Sequence, residues 1–315
     1  MGVELELIAD GGAGAESDDF FRSRSYCRAQ GVTHSLALRS ERREATLPLI
    51  VREIPDTDRQ DAISPYGYPG ARIAGNGPAP SSDEVDWSAL GLVSIFVRER
   101  VGEETWLSDA DVRAAVQVHD PNRPRGLRRR LAEQIAQNRR RGWEVELGPG
   151  PQAADGKVDA FASIYEETMV RTGAGPTYFV GADYLSAVLG FEGSWLLLAA
   201  RAGVPAGAGA IATLSDGVLH YYLGGTADAA LDESPFKNVV SSMIDLADEL
   251  GVPLNLGGGF RPGDGLERFK RGFANAELPF RTQGIVCDGA EYDRLAGEQL
   301  RGPADQAFFP AYRVS

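Results

Sequence analysis

The sequence predicts an α/β (α+β) chain of two domains, and three observations carry that reading. Its 315 residues exceed the roughly 100–200 of one ordinary domain, and 43% of them are hydrophobic, enough for two cores. Strand-like and helix-like patterns alternate along both halves. A Pro/Gly-rich stretch, GPGPQAADGK at 148–157, separates the halves and marks the expected boundary, giving domains at 1–147 and 148–299.

Taken in order, residues 41–52 pass from charges into β-branched and aliphatic residues and read as a strand. AISPYGYPG at 62–70 packs two prolines, two glycines and two tyrosines into nine residues, which specifies a shaped loop. A second strand follows over 90–100, and Ser108 with the aspartates after it predicts the cap of a short helix. Residues 126–141 place Leu127, Leu131, Ile135 and Asn138 on one helical face before Gly142 ends the helix, and 143–147 forms the next strand. The second half predicts helices at 159–171 and 181–189, strands at 195–202, 208–214 and 218–223, a helix at 235–250 and a strand at 253–256.

Charge and composition exclude several classes. With 32 basic against 45 acidic side chains the net charge is −13, which argues against a nucleic-acid coat protein or a polybasic membrane binder. Cys27 and Cys287 lie far apart and read as ordinary buried thiols, not a disulfide framework or a zinc site. The most apolar stretch, 195–212, is interrupted by Arg201 and Pro205, so no transmembrane helix is expected. Residues 1–21 are acidic and Gly-rich without a leader pattern, and a cytoplasmic protein is expected. Arginine dominates the cations, leaving Lys157, Lys237 and Lys270 as positions where a compact ammonium is called for.

The most informative segment is VPLNLGGGFRPGDGLERFKRGF at 252–273. Its strand ends in Gly257, Gly258 and Gly259, which let a ligand approach the main chain closely, and a basic, aromatic helix begins at Leu266. Between Arg123 and Arg141, eight arginines stand against one glutamate, a local excess of +7 suited to phosphates; Arg128, Arg129, Arg139 and Arg140 are the candidates there, with Lys237 elsewhere. His220, in HYYLGGT, has the ordinary pKa range of a general base. Tyr66 and Tyr68 in the Pro/Gly loop offer aromatic walls for an acceptor.

The ISPYGYPG loop, YEETMVRTGAGPTYF, HYYLGGT, the helix FKNVVSSMIDLADELGV, the GGG strand end and LERFKRGF together, in this order over most of residues 45–290, resemble the FemABX family. The resemblance implies two tandem GNAT-like domains with a cleft between them and, since heptads are missing from 157–287, no coiled-coil arm. It implies aminoacyl-tRNA as donor, transfer to an amine with formation of an amide, and no metal or redox cofactor. Family members act on peptidoglycan precursors, and relatives in secondary metabolism act on small amines or peptides. Phe269 and Lys270 match the Phe-Lys pair beside the reacting ester, where a fixed ammonium suits a developing oxyanion. Arg171 and Tyr178 match positions facing the cleft, and the tail 300–315 is expected to return to the first domain.

An acyl-CoA enzyme instead needs a glycine-rich loop that presents N–H groups to a pyrophosphate. In that place stands DAALDESPFKNVV, with Asp232 and Glu233 and no glycine pair. Aminoacyl-tRNA is therefore the expected donor, and an acyl-CoA-dependent N-acyltransferase, for example in polysaccharide biosynthesis, is the alternative.

Overall fold

The computed structural model describes residues 3–259, 261, 263–297 and 308–313. The chain forms two compact units, one of Met1–Arg113 with Pro279–Ser315 and one of Ala114–Leu278. In order the elements are β1 (Glu4–Ile8), α1 (Arg24–Ala29), β2 (His34–Ser40), β3 (Arg43–Glu53), β4 (Gln60–Ile63), β5 (Arg72–Gly75), β6 (Ser94–Arg98) and β7 (Asp111–His119). They continue as α2 (Arg129–Arg140), β8 (Glu144–Pro149), α3 (Asp155–Thr172), α4 (Ala182–Leu189), β9 (Ser194–Arg201), β10 (Val204–Ser215) and β11 (Val218–Thr226). The last are α5 (Phe236–Leu250), β12 (Leu254–Gly257), α6 (Gly265–Arg271), β13 (Ala276–Val286) and α7 (Gly289–Ala296). This is the α/β fold class the sequence predicts. Among the described residues no helix is long and apolar enough to cross a membrane.

The first unit is built on strands in the order β1-β2-β3-β4-β6-β13, with β5 paired to the start of β3. Residues of period two, Leu36 and Leu38, Leu47 and Leu49, Ile95 and Val97, turn one face inward around Trp87 and Trp106. The tail residues 308–313 belong to this unit: Phe309 stacks on Phe96, and the Tyr312 and Ser94 hydroxyls are 2.7 Å apart. The tail's residues 300–307 lie outside the described residues. Cys27 and Cys287 are free and buried, and burial pushes both thiols up to about 12.

The second unit orders its strands β7-β12-β11-β10-β9-β8, antiparallel except for β11 with β12. Along β10, Ala208, Ala210 and Ala212 join a core with Val239, Val240, Met243 and Ile244 of α5. The alternate position Gly209 lies against Phe161 of α3, so a helix covers each face. Helix α2 lays Leu131 and Ile135 on the same core as α5, as its periodicity predicts, and Leu127 just before it joins them.

Two expectations fail here. The segment after Ser108 is a strand, β7: VRAAVQVH alternates at period two and pairs with β12, which outweighs the capping signal. The Pro/Gly stretch 148–157 is no linker but lies inside the second unit, with α2 and β8, while 279–297 belongs to the first. Gly150 is buried in a 3₁₀ turn, where a Cβ would stand 2.1 Å from Ser194 Oγ, so this glycine serves a packed corner.

Candidate active site

The site in the second unit begins with two strands that part. Parallel β11 and β12 pair at Leu219 with Leu254 and His220 with Asn255. On its other side β11 carries a bulge: Ala212 opposes Tyr221 and Ile211 opposes Leu223, leaving Tyr222 as an extra residue. Beyond the pairing, β12 runs into Gly257, whose φ of +77° suits glycine.

Helix α6 follows directly. Asp264 is its N-cap, accepting from Glu267 N–H at 2.8 Å and from Arg261 N–H at 2.9 Å, while Glu267 accepts from Gly263 N–H at 2.7 Å. Gly259 must be glycine because a Cβ there would stand 2.4 Å from Asp264 Oδ1. This turn aims α6 back at the strand end, and Lys270 Nζ donates to the Gly258 carbonyl at 2.8 Å. The same ammonium sits 5.4 Å from the centroid of Tyr221, on whose face it rests. Burial lowers the Lys270 ammonium to about 8, with the Asp264 charge opposing the drop. Phe269 anchors the helix, with its ring centroid 6.2 Å from Phe236 and 5.2 Å from Phe273; Phe236 in turn meets Tyr221 at 5.6 Å.

His220 does not fit the expected role of base. It is buried, and burial brings its imidazole down to about 3, so it is neutral and very weakly basic. Asn255 Oδ1 accepts from Gly257 N–H at 2.8 Å, leaving its amide to donate to His220 Nδ1 at 3.1 Å. His220 and Asn255 therefore hold the glycine strand end in place.

The remaining candidates divide. Lys270, Phe269, Gly257, Gly258 and Gly259 come together. Arg171 is committed to the end of β11, donating to Thr226 O at 3.0 Å and pairing with Asp228, and Tyr178 lies partly exposed on the segment after α3. Tyr66 and Tyr68 are in the first unit: the Tyr66 carbonyl accepts from Tyr26 at 2.6 Å, and the Tyr68 ring packs edge-on to Phe21 and Phe280. Of the arginines, Arg129 pairs with Glu133. Arg128 approaches α6, its N–H donating to Gly272 O at 3.1 Å, whereas Arg139 and Arg140 lie at the opposite end of α2. Sequence reasoning missed Tyr221, Asn255 and Asp264. An Asp three residues before a Glu at a helix start is an N-cap signal, so that signal was present.

Glu233, which stands where a phosphate loop would, has its carboxylate drawn to Trp143 Nε1 at 2.9 Å and to Arg201 at 3.0 Å. It fixes the loop before α5. Asn138 does the same from α2, donating to Glu233 O and to Asn238 Oδ1, each at 3.0 Å. Among the described residues no group of three or more His, Cys, Asp or Glu gathers to hold a metal.

Residues 125–271 match the family model described as acetyltransferase (GNAT) domain, and the match falls wholly inside the second unit. No curated protein matches the sequence. Among solved structures the crystal structure of FemX superposes with a TM-score of 0.58 at 12% identity, covering 83% of this chain and 89% of that one. The C-terminal domain of a putative lysylphosphatidylglycerol synthetase from Agrobacterium fabrum gives 0.55 at 14% identity, covering 90% of each. L-PGS from Bacillus licheniformis gives 0.54 at 10%, covering 84% and 87%. The chain thus has a FemX-like fold, and residues 125–271 of its second unit are similar to a GNAT domain.

Proposed function

We propose, from the premise of a GNAT acyltransferase domain in a FemX-type fold, that this protein is an aminoacyltransferase. It would move an amino acid from aminoacyl-tRNA to an amine of a small-molecule, peptide or cell-wall-precursor acceptor and form an amide. The observation that carries the reading is the Lys270 ammonium, held by the Gly258 carbonyl and the Tyr221 ring at the point where β11 and β12 part.

In the reaction the acceptor nitrogen attacks the ester carbonyl, the new C–N bond forms and the C–O bond to the terminal ribose breaks. The amine proton finishes on the released ribose hydroxyl. Between these steps the carbonyl oxygen carries a full negative charge. An ammonium already fixed by its neighbours meets that charge with little reorganisation, which is where electrostatic catalysis gains most. With its pKa near 8 Lys270 is still cationic at pH 7. The ester is an activated donor, so the weak basicity of His220 is no obstacle. The absence of a glycine-rich phosphate loop before α5 supports tRNA over CoA, and FemX shares the fold.

The second reading, an acyl-CoA-dependent N-acyltransferase, is favoured by the acetyltransferase description of the matching family model. The two separate in one assay. The protein is incubated with tRNA charged with labelled amino acids and with labelled acetyl-CoA, against a cell extract as acceptor. Label leaving tRNA for an amide product is the expected result; movement of the CoA label alone would establish the second reading instead.

A further inference from the structure

Strand β12 lies between β11 and β7, and the helix that follows it, α6, is held from both neighbours. Toward β11, Lys270 meets the Gly258 carbonyl and the Tyr221 ring. Toward β7 runs a second set of contacts that the proposed reaction does not use. Strand β7 backs the glycine strand end: Gln117 opposes Gly257, and a Cβ on Gly258 would stand 3.2 Å from Ala115 O. Gln117 is fully buried, and its Nε2 donates to Glu277 Oε1 at 2.8 Å. The same Glu277 oxygen lies 3.3 Å from Arg271 Nε of α6, while Arg271 Nη2 bonds Glu267 one turn earlier in that helix. Glu267 in turn accepts from Gly263 N–H at 2.7 Å, at the turn that Asp264 caps. An unbroken chain of polar contacts therefore leads from β7 to the start of α6. Two of its links need these side chains in particular. One guanidinium presents separate N–H groups to two carboxylates, which an ammonium cannot do. Gln117 Oε1 has no hydrogen-bond partner among the described residues, and a buried acceptor left unsatisfied is less stable than an apolar side chain of the same size. The fold nevertheless keeps an amide opposite Gly257, and its other end holds Glu277.

We infer that Gln117 and Arg271 are positioning residues: joined through Glu277, they brace α6 against β7 and so keep Lys270 on Gly258 and Tyr221. Neither stood out in the sequence, because Gln117 and Glu277 lie 160 positions apart. The inference rests on the aminoacyltransferase reading for what the braced ammonium does, whereas the brace itself is measured without turnover.

With only Lys157, Lys237 and Lys270 in the chain, NMR of protein carrying isotope-labelled lysine reads the Lys270 amine directly, its signal assigned by Lys270→Arg. The proteins are the wild type, Gln117→Met, Arg271→Lys and Leu197→Val. Gln117→Met removes the amide at unchanged charge and similar size, and Arg271→Lys keeps the charge but cannot bridge Glu267 and Glu277. Leu197→Val, in the core of the same unit, lowers stability without touching the brace. The brace predicts that Lys270 titrates at about 8 in the wild type and Leu197→Val. In Gln117→Met and Arg271→Lys the midpoint rises by at least about 1 toward the 10.5 of a free lysine, as the released ammonium regains water. In single-turnover transfer from aminoacyl-tRNA the same two variants lose about tenfold or more in rate at saturating donor, with the donor concentration for half-saturation little changed. Arg271 is half-exposed, so Arg271→Lys keeps the test decisive should Gln117→Met fold poorly. A Lys270 midpoint unchanged in either folded variant, or moved as far in Leu197→Val, would overturn the brace. A midpoint raised in both variants, with no transfer by any of the proteins, would keep the brace and overturn aminoacyl-tRNA as donor.

Discussion

Lys270 shows how one side chain is set apart by its surroundings. An ammonium on a four-carbon stem can bond a single carbonyl and lie on one aromatic face, whereas a planar guanidinium spreads its charge over a fork. In a chain with three lysines its position stood out in the sequence, as did the run of three glycines whose middle member, Gly258, it bonds. Its partner Tyr221 did not, because alternation in HYYLGGT cannot say which tyrosine faces α6 across a bulge. His220 looked like a base for want of any sign of burial. Glu99 in the first unit is a second group that only the structure exposes: burial raises its carboxyl to about 7, against the lowering effect of Arg100, Trp106 and Arg281. A raised acid favours the folded state while protonated, so its contribution is complete below the unfolded pKa near 4.5 and is lost as pH rises through about 7. Unfolding free energy should fall by on the order of 2–3 kcal/mol over that window in the wild type, and Glu99→Gln should flatten the fall. Urea titrations at pH 4.5 and 8 check this; an unchanged pH dependence in Glu99→Gln would contradict it.

At the scale of elements, the turn from β12 into α6 sets the site. Gly259 admits Asp264, Asp264 caps α6, and the helix returns Lys270 to Gly258. Gly259→Ala should push on a carboxylate fixed by two backbone N–H groups and cost about 1–3 kcal/mol in thermal or urea unfolding. It should also lower transfer activity in protein that remains folded; a variant as stable and active as the wild type would show that α6 does not depend on this contact. Elements with a single clean period, such as α2, α5, β10 and β11, were legible in the sequence. The strand β7 was obscured by Ser108 and its aspartates, which signal a cap only when helical periodicity follows. The boundary was misread because a glycine such as Gly150 serves a tight corner as readily as a linker.

For the whole molecule, a net charge of −13 coexists with a helix region of +7, and the structure divides that excess further. Four of its eight arginines, Arg123, Arg125, Arg129 and Arg141, are spent on neighbouring carboxylates, so composition alone overstated the basic surface. The division into units followed from contacts that run between distant parts of the sequence, 279–297 rejoining the first unit, which no local pattern announces. The central claim is that an aminoacyl ester is opened beside the Lys270 ammonium. Single-turnover transfer from aminoacyl-tRNA at pH 7, by the wild type and by Lys270→Ala of matched melting temperature, tests it most directly. The account predicts transfer by the wild type and a loss of about 10²–10³ in rate for the variant; equal rates in the two proteins would contradict it.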